Sequence, residues 1–497
     1  MNIRTQRIVG LLSLAFLALP NVNVAATASE PFEISGWIPY WRAEKGIESI
    51  LPNLGTFTEV NPFVYTIKQS GGLNEASSLS DAQWVNLAAQ AKAKGIKFIP
   101  TVMWANPDAI DDVLRDPEKR KAHISAIVHE VYARKFDGID IDYESKHART
   151  RPYFSLFLKE LYTAMEYDKW LMCTIEARTP LDARYSSLES IPKDIEYAND
   201  FAEINKYCDR VRIMAYDQGR IDLKLNGSNA VPYIPIADKA WVEKVVLLAA
   251  EEIDRNKIVI GVPTYGYEYD MFPANDGSGK MQYSSLWSFN PGYVDETAKK
   301  LGLSPVRNSA GELMLVYPAA QSLDPAIPLP NATRVMSWSD AEAIRQKAEL
   351  AEKLGLRGIA IFKIDGGQDI GIWNTLLAYK GKSVAIGNSG SVAGAASDPP
   401  RAVKTPASGT TVKVAISAPT RNLYFGVINE DVRILQKFLN TSGFAVSAIG
   451  PGAPGKETNI FGTATQKALI KFQVANSIKP ATGYYGPITR AMIKKLE

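Results

Sequence analysis

Asp137-Gly138-Ile139-Asp140-Ile141-Asp142-Tyr143-Glu144 reads as a strand with two unlike faces. Successive side chains point to opposite sides of a strand, so Asp140, Asp142 and Glu144 share one face. Ile139, Ile141 and Tyr143 share the other. The apolar face calls for a covering layer of helices. The acidic face makes sense only if it lines an interior where charge has a use. A calcium loop does not fit, because such loops carry a mid-loop glycine and do not interleave their acids with Ile and Tyr.

Seven more runs of the same length and character flank this one. They are Ile34–Trp41, Val60–Thr66, Lys97–Met103, Leu171–Ala177, Val211–Tyr216, Ile258–Pro263 and Gly358–Ile364. Each is bounded by turn residues and rich in Ile, Val or aromatics. Helical patterns lie between most of them. In one, Ile124, Ile127, Val128, Val131 and Tyr132 recur at the spacing of a single buried face. Asp81–Lys94, Arg151–Tyr167, Asp194–Tyr207, Asp238–Ile253 and Asp340–Leu354 read similarly. The predicted fold class is α/β, a (β/α)8 TIM barrel over residues 29–380, with functional groups at the C-terminal strand ends. An open doubly wound sheet would need a glycine-rich loop after its first strand, and Trp37-Ile38-Pro39-Tyr40-Trp41 is not one.

The connection around 268–334 is too long for a βα loop and rich in aromatics, Tyr269, Phe272, Tyr283, Trp287, Phe289, Tyr293 and Tyr317 among them. It reads as an inserted subdomain walling a cleft before strand eight. Residues 381–420 shift to Ser, Gly, Ala, Val and Pro, the composition of a flexible linker, with a weak β pattern at Val412–Ile416. The last 77 residues, 421–497, regain a core pattern. Val432, Leu435, Phe438 and Leu439 share a helical face, and Phe461-Gly462-x-x-Thr465 recurs as Tyr485-Gly486-x-x-Thr489, each copy opening a helix. Three helices are expected there. At the other end, Arg4 and Arg7 precede the apolar run Ile8–Leu19, Pro20 and Ala26-Thr27-Ala28, the pattern of a secretory signal peptide covering 1–28. The run is short for a membrane span.

Charge is unevenly shared along the 497 residues. The chain carries +3 overall, but residues 421–497 hold ten basic and four acidic residues, whereas 30–380 carries a net −8. An acidic body and a basic tail suggest two jobs. Three histidines without metal-ligand spacing and two distant cysteines exclude a zinc site, so no metal and no cofactor are expected. Cys173 and Cys208 are open to either reading, one disulfide or two buried thiols.

Three ionised acids on one enclosed face repel one another and lose hydration, so at least one should keep its proton near neutrality. Glu144, finishing the strand, is placed to donate it, which is the task of a general acid. The octapeptide resembles the D-x-x-D-x-D-x-E signature of family 18 glycoside hydrolases without a gap. Met214-Ala215-Tyr216-Asp217 resembles the family's Met-x-Tyr-Asp, and Gly261-Val262-Pro263-Thr264-Tyr265-Gly266 its strand-seven motif. The resemblance implies hydrolysis of N-acetylated amino-sugar glycans assisted by the substrate's own acetamido group. It implies Glu144 as acid and base, Asp142 on the acetamido nitrogen, Tyr216 on its oxygen and Asp140 one layer deeper, with Asp137 structural. Met214, Asp217, Tyr40, Trp41 and Phe362 become candidate substrate contacts. Tyr65 and Trp104 are further candidate stacking platforms. Phe362 stands where the family usually has Trp.

The tail resembles the small peptidoglycan-binding module of wall hydrolases. The resemblance rests on Asp431-Val432-Arg433-x-Leu435-Gln436-x-Phe438-Leu439, Gly462-x-x-Thr465, Phe472-Gln473 and Gly483-Tyr484-Tyr485-Gly486. The expected partner is therefore a peptidoglycan or chitin-like glycan. Nucleic acid is excluded by secretion, a monomer is expected, and the expected location is outside the cell or on its wall. Three readings stand: a peptidoglycan-acting β-N-acetylglucosaminidase, a chitinase anchored to the wall, and a carbohydrate-binding protein on a silent barrel.

Overall fold

The computed structural model describes residues 29–165, 169–274, 279–321 and 332–385, and in the tail 419, 423, 429–447, 451–476, 478, 481, 483, 485 and 486–496. The expected signal peptide, the Val412–Ile416 pattern and nearly all of the expected linker lie outside the described residues.

Eight parallel strands close on themselves, in chain order Glu33–Pro39, Glu59–Ile67, Thr101–Trp104, Gly138–Tyr143, Trp170–Glu176, Arg210–Met214, Ile258–Pro263 and Gly358–Phe362. Ile359 of the eighth lies opposite Ile34 of the first, and Trp37 of the first opposite Asn61 of the second, which completes the barrel. The third strand is entered through Lys97–Phe98 and interrupted before Thr101. Pro100 stands in the gap, where its missing N–H cannot serve the ladder. Two strands open on glycine for a steric reason. A Cβ at Gly138 would collide with the carbonyl of Trp170, and one at Gly358 with that of Glu33.

Helices cover the outside, each started by its own sequence. Asn106, Asp116, Asp200, Asp238 and Asp340 accept backbone N–H groups in the first turns of Pro107–Arg115, Pro117–Ala133, Phe201–Tyr207, Lys239–Ala249 and Ala341–Lys353. The Asp200 cap explains why the helical pattern read from Asp194 begins only at Phe201. The outward strand residues Ile139, Ile141 and Tyr143 join Ile127, Val131, Phe154 and Phe157 in the main core. At the strands' N-terminal end, Ser29–Pro31 pairs with Ser383–Ala385 and ties the two ends of the barrel domain together.

The insertion is an antiparallel sheet of Gly266–Pro273, Met281–Phe289, Val306–Arg307, Leu313–Pro318 and Thr333–Trp338 with the helix Pro291–Leu301. It starts three residues after strand seven ends, and Phe289, Val294, Leu315, Met336 and Trp338 form its own core.

The tail contains helices Glu430–Thr441, Thr463–Ala475 and Pro487–Leu496. Its sequence repeat is a repeated joint. Gln436 Nε2 donates to Thr465 Oγ1 at 2.8 Å, and Gln473 Nε2 to Thr489 Oγ1 at 2.9 Å. The aromatic that opens each copy, Phe461 or Tyr485, is fully buried.

Cys173 and Cys208 form a disulfide, with Cα atoms 5.9 Å apart, so the two-thiol reading is set aside. Residue separation in sequence hid their proximity. Cys208 ends the helix that feeds strand six, and strand six lies beside strand five, where Cys173 faces Val211.

Candidate active site

The barrel interior holds a column of charge. At the bottom, Arg210 donates through both Nε and Nη2 to the Glu33 carboxylate at 2.7 Å. One layer up, Arg212 pairs with Glu59, and its Nη1 lies 2.9 Å from Asp140 Oδ2. Asp140 is fully buried and fully engaged. Trp37 Nε1 (3.0 Å) and Thr101 Oγ1 (2.8 Å) donate to its Oδ2, and Thr174 Oγ1 (2.8 Å) donates to its Oδ1. The acidic face is therefore not acid alone: a buried arginine answers its deepest member. Arg212 escaped the sequence reading, although Arg210-Val211-Arg212 alternates as Asp140-Ile141-Asp142 does and so puts both guanidiniums inside.

Asp142 sits above Asp140, 3% exposed, and its Oδ1 has no hydrogen-bond partner. Burial, then the charges of Glu144, Asp140 and Glu176, push its carboxyl well above the usual carboxylate range. Glu144 follows at the strand end, half-buried, its N–H continuing the ladder to Trp104 O at 2.8 Å. Burial and then the Glu176 charge raise its carboxyl too, with Lys467 and Lys146 pulling the other way. The upper pair thus holds protons to higher pH than free carboxylic acids would. Asp137 lies at the lower end of the strand and accepts Phe98 N–H at 2.8 Å.

Aromatic rings build the floor. Phe362 stacks on Tyr216 with centroids 5.4 Å apart and 10° between planes, and meets Trp37, Phe63 and Tyr265 edge-on. Tyr216 is buried beside the carboxylates, and its hydroxyl is held protonated by burial and by the charges of Asp142 and Asp217. Asp217, at a left-handed φ of 58°, accepts the Tyr265 hydroxyl at 2.7 Å. Met214 ends strand six, half-buried. Tyr40 and Trp41 sit in the turn after strand one, and Trp41 is 47% exposed. Tyr65 and Trp104 are not platforms. Tyr65 is buried, with its hydroxyl donating to Glu130 at 3.0 Å, and Trp104 packs on Tyr143 and His123. Both join the core under the helices: Trp104 by the outward parity of its strand, and Tyr65 because the register shifts between Phe63 and Tyr65, which turns it away from the interior that Glu59 and Phe63 face.

The insertion rises from the end of strand seven. Its first acid, Glu268, is fully buried and turned into Arg334 (2.9 Å) and Tyr317 (3.1 Å). From the tail, Gln466 Nε2 donates to Leu286 O at 3.3 Å, which brings Lys467 on the same helix into the field of Glu144 and Asp217. A depression of about 690 Å³ lined by Val85, Lys92, Phe98 and Phe136 lies at the opposite end of the strands, away from the carboxylates. Among the described residues no cluster of His, Cys, Asp and Glu is arranged to hold a metal, and no helix is long and apolar enough to cross a membrane.

A closed barrel with these carboxylates at its strand ends is matched by the family model for glycosyl hydrolases family 18, over residues 38–367. The chain belongs to family 18. It is a glycosidase whose tail, residues 429–493, matches the peptidoglycan binding domain family. Among relatives of this family 18 chain is the uncharacterized glycosylase YvbX of Bacillus subtilis, 22% identical over 295 residues, covering 58% of this chain and 76% of the relative. Chitinase A1 of Niallia circulans is 23% identical over 372 residues, 67% of this chain and 50% of that protein. The crystal structure of the Bacillus cereus spore cortex-lytic enzyme SleL shares the fold with a TM-score of 0.53 at 19% identity, over 73% of this chain and 76% of that one.

Proposed function

We propose that this glycosidase is secreted, cleaves β-1,4 bonds of peptidoglycan glycan strands next to an N-acetylated sugar, and works with retention through the substrate's own acetamido group. The observation that carries this is Asp142: a buried carboxyl with an oxygen that has no partner, directly beneath Glu144. An acetamido N–H is the kind of donor that such an oxygen lacks. Glu144 protonates the departing glycosidic oxygen while the acetamido carbonyl oxygen attacks the anomeric carbon. Tyr216 donates to that carbonyl oxygen, and the ring of Phe362 carries the sugar face. Glu144, now a carboxylate, then takes a proton from the water that opens the oxazolinium ion.

The end of strand seven supports this route. A protein nucleophile would have to stand about 5 Å from the acid. That end carries Thr264 and Tyr265, and Glu268 is spent on Arg334. Attraction of the +6 tail to an anionic wall polymer supports the substrate, as does the cortex-lytic activity in the name of one structural relative. A second reading, a wall-anchored chitinase, is favoured by the likeness to Chitinase A1.

Purified sacculi and soluble chitin oligomers, digested in parallel, separate the two. Mass spectrometry of sacculus fragments should show new N-acetylated reducing ends, and NMR taken early should show the β-anomer. An α-anomer rules out the acetamido route. Fragments from chitin alone move the assignment to the second reading.

A further inference from the structure

Immediately after Glu144 the chain makes an unfavourable turn. Ser145 has a φ of 58°, in the left-handed region that costs a side-chain-bearing residue energy unless its surroundings hold it there. Two residues hold it. Glu176, the last residue of strand five, accepts the Ser145 N–H on Oε1 at 2.7 Å. Lys146 Nζ donates to the carbonyl oxygen of Tyr143 and lies 3.5 Å from Glu176 Oε2. Asn199 Nδ2 donates to that same Oε2 at 2.9 Å. The backbone groups on both sides of Glu144 are thus gripped by one ion pair from outside the octapeptide.

A purely structural clamp has no need of charge. The Lys146 side chain is fully buried, its ammonium 4.6 Å from the Phe154 ring centre, while Glu176 is partly exposed, and an ion pair that strips an ammonium of water contributes little to stability for its desolvation cost. Its charge matters to the acid beside it. Burial alone would raise Glu176, but Lys146 and the donors on its oxygens outweigh that and hold it below the usual carboxylate range. An ionised carboxylate then stands behind Glu144 and Asp142 and opposes the loss of their protons, while the Lys146 ammonium opposes that effect. The other charges facing Glu144 are Asp142 on its own strand, Asp217 after strand six and Lys467 of the tail.

We propose that Glu176 and Lys146 are a positioning pair for the general acid, fixing the backbone on both sides of Glu144 and setting the pH range over which it donates its proton. The proposal rests on Glu144 being that acid. Glu176→Gln keeps an oxygen for the Ser145 N–H and removes the charge. The alkaline limb of its kcat/KM–pH profile should move down by about one unit. Lys146→Met should move the same limb up, and Glu176→Asp should leave it in place while lowering kcat. Rates are read as reducing ends released from purified sacculi or a chitin oligomer, whichever the unaltered enzyme cleaves, with thermal unfolding as the control for folding. Opposite limb shifts cannot come from a loosened turn. If Lys146→Met does not fold, Glu176→Gln against Glu176→Asp still separates charge from grip. Unmoved limbs, or limbs moved the same way, overturn the proposal. A Glu144→Gln enzyme with normal turnover would instead show that the acid itself was misassigned.

Discussion

The lower and upper halves of the barrel's charge column solve the same problem differently. Below, every acid has a guanidinium: Glu33 has Arg210, and Glu59 and Asp140 share Arg212. Above, Asp142 has an oxygen with no hydrogen-bond partner, Glu144 is half-buried at the strand end, and Lys146 beside them is committed to Glu176 and a backbone carbonyl. Charge below is paired with guanidinium and serves the fold, although Glu59 Oε2 also lacks a hydrogen-bond partner and burial raises its carboxyl. Charge above has no guanidinium and, in the proposed mechanism, serves chemistry. The boundary runs between Asp140 and Asp142, two residues apart on one strand.

The sharpest break of this contrast is Glu144→Gln. It should lower the rate of reducing-end release by about 10²–10⁴-fold while binding to glycan persists, since the proposed proton donor alone is lost. Next comes Arg212→Met, aimed at the lower half. Stripping the partner from Glu59 and Asp140 should cost about 3–5 kcal/mol in denaturant unfolding, because it leaves buried charge unanswered.

Asp142→Asn should do the opposite to stability and still abolish most activity. The folded protein holds the Asp142 proton more tightly than the unfolded chain does, so the wild-type side chain costs nothing below the unfolded value of about 4 and progressively more as pH rises above it. The variant should match wild type at pH 3 and exceed it at pH 7, by about 1–3 kcal/mol. Equal stability at both pH values would mean that Asp142 is not strained.

The smallest effect belongs to the second contrast, between acidic barrel and basic tail. Removal of residues 386–497, which spares the Ser383–Ala385 strand, should weaken retention on sacculi by about tenfold or more and leave the rate on a short soluble oligomer unchanged. A loss of rate on the oligomer would mean that the Lys467 side of the tail takes part in the cleft.

Much of this was legible before any coordinates. Eight short apolar runs separated by helical patterns were enough for the barrel, because each strand must bury one face under helices and the alternation of residue types records it. The octapeptide announced an inward acidic row for the same reason. Other features were not legible. Arg212 looked like one basic residue among many until strand six was placed across from strand two and its Glu59. Tyr65 and Trp104 looked like cleft residues because aromatic rings at strand ends serve packing and stacking equally well. Glu176 gave no motif signal at all, since its partners, Ser145, Lys146 and Asn199, come from other parts of the chain.

Periodicity and local motif alone determined the barrel, its covering helices and the inward row of acids, because these depend on which way neighbouring side chains point along one element. Which acids are neutralised, which keep protons and which rings stay open to a sugar was decided by tertiary structure. Electrostatic energy depends on distance and on lost hydration, and both arise only when strands far apart in sequence close around a common interior.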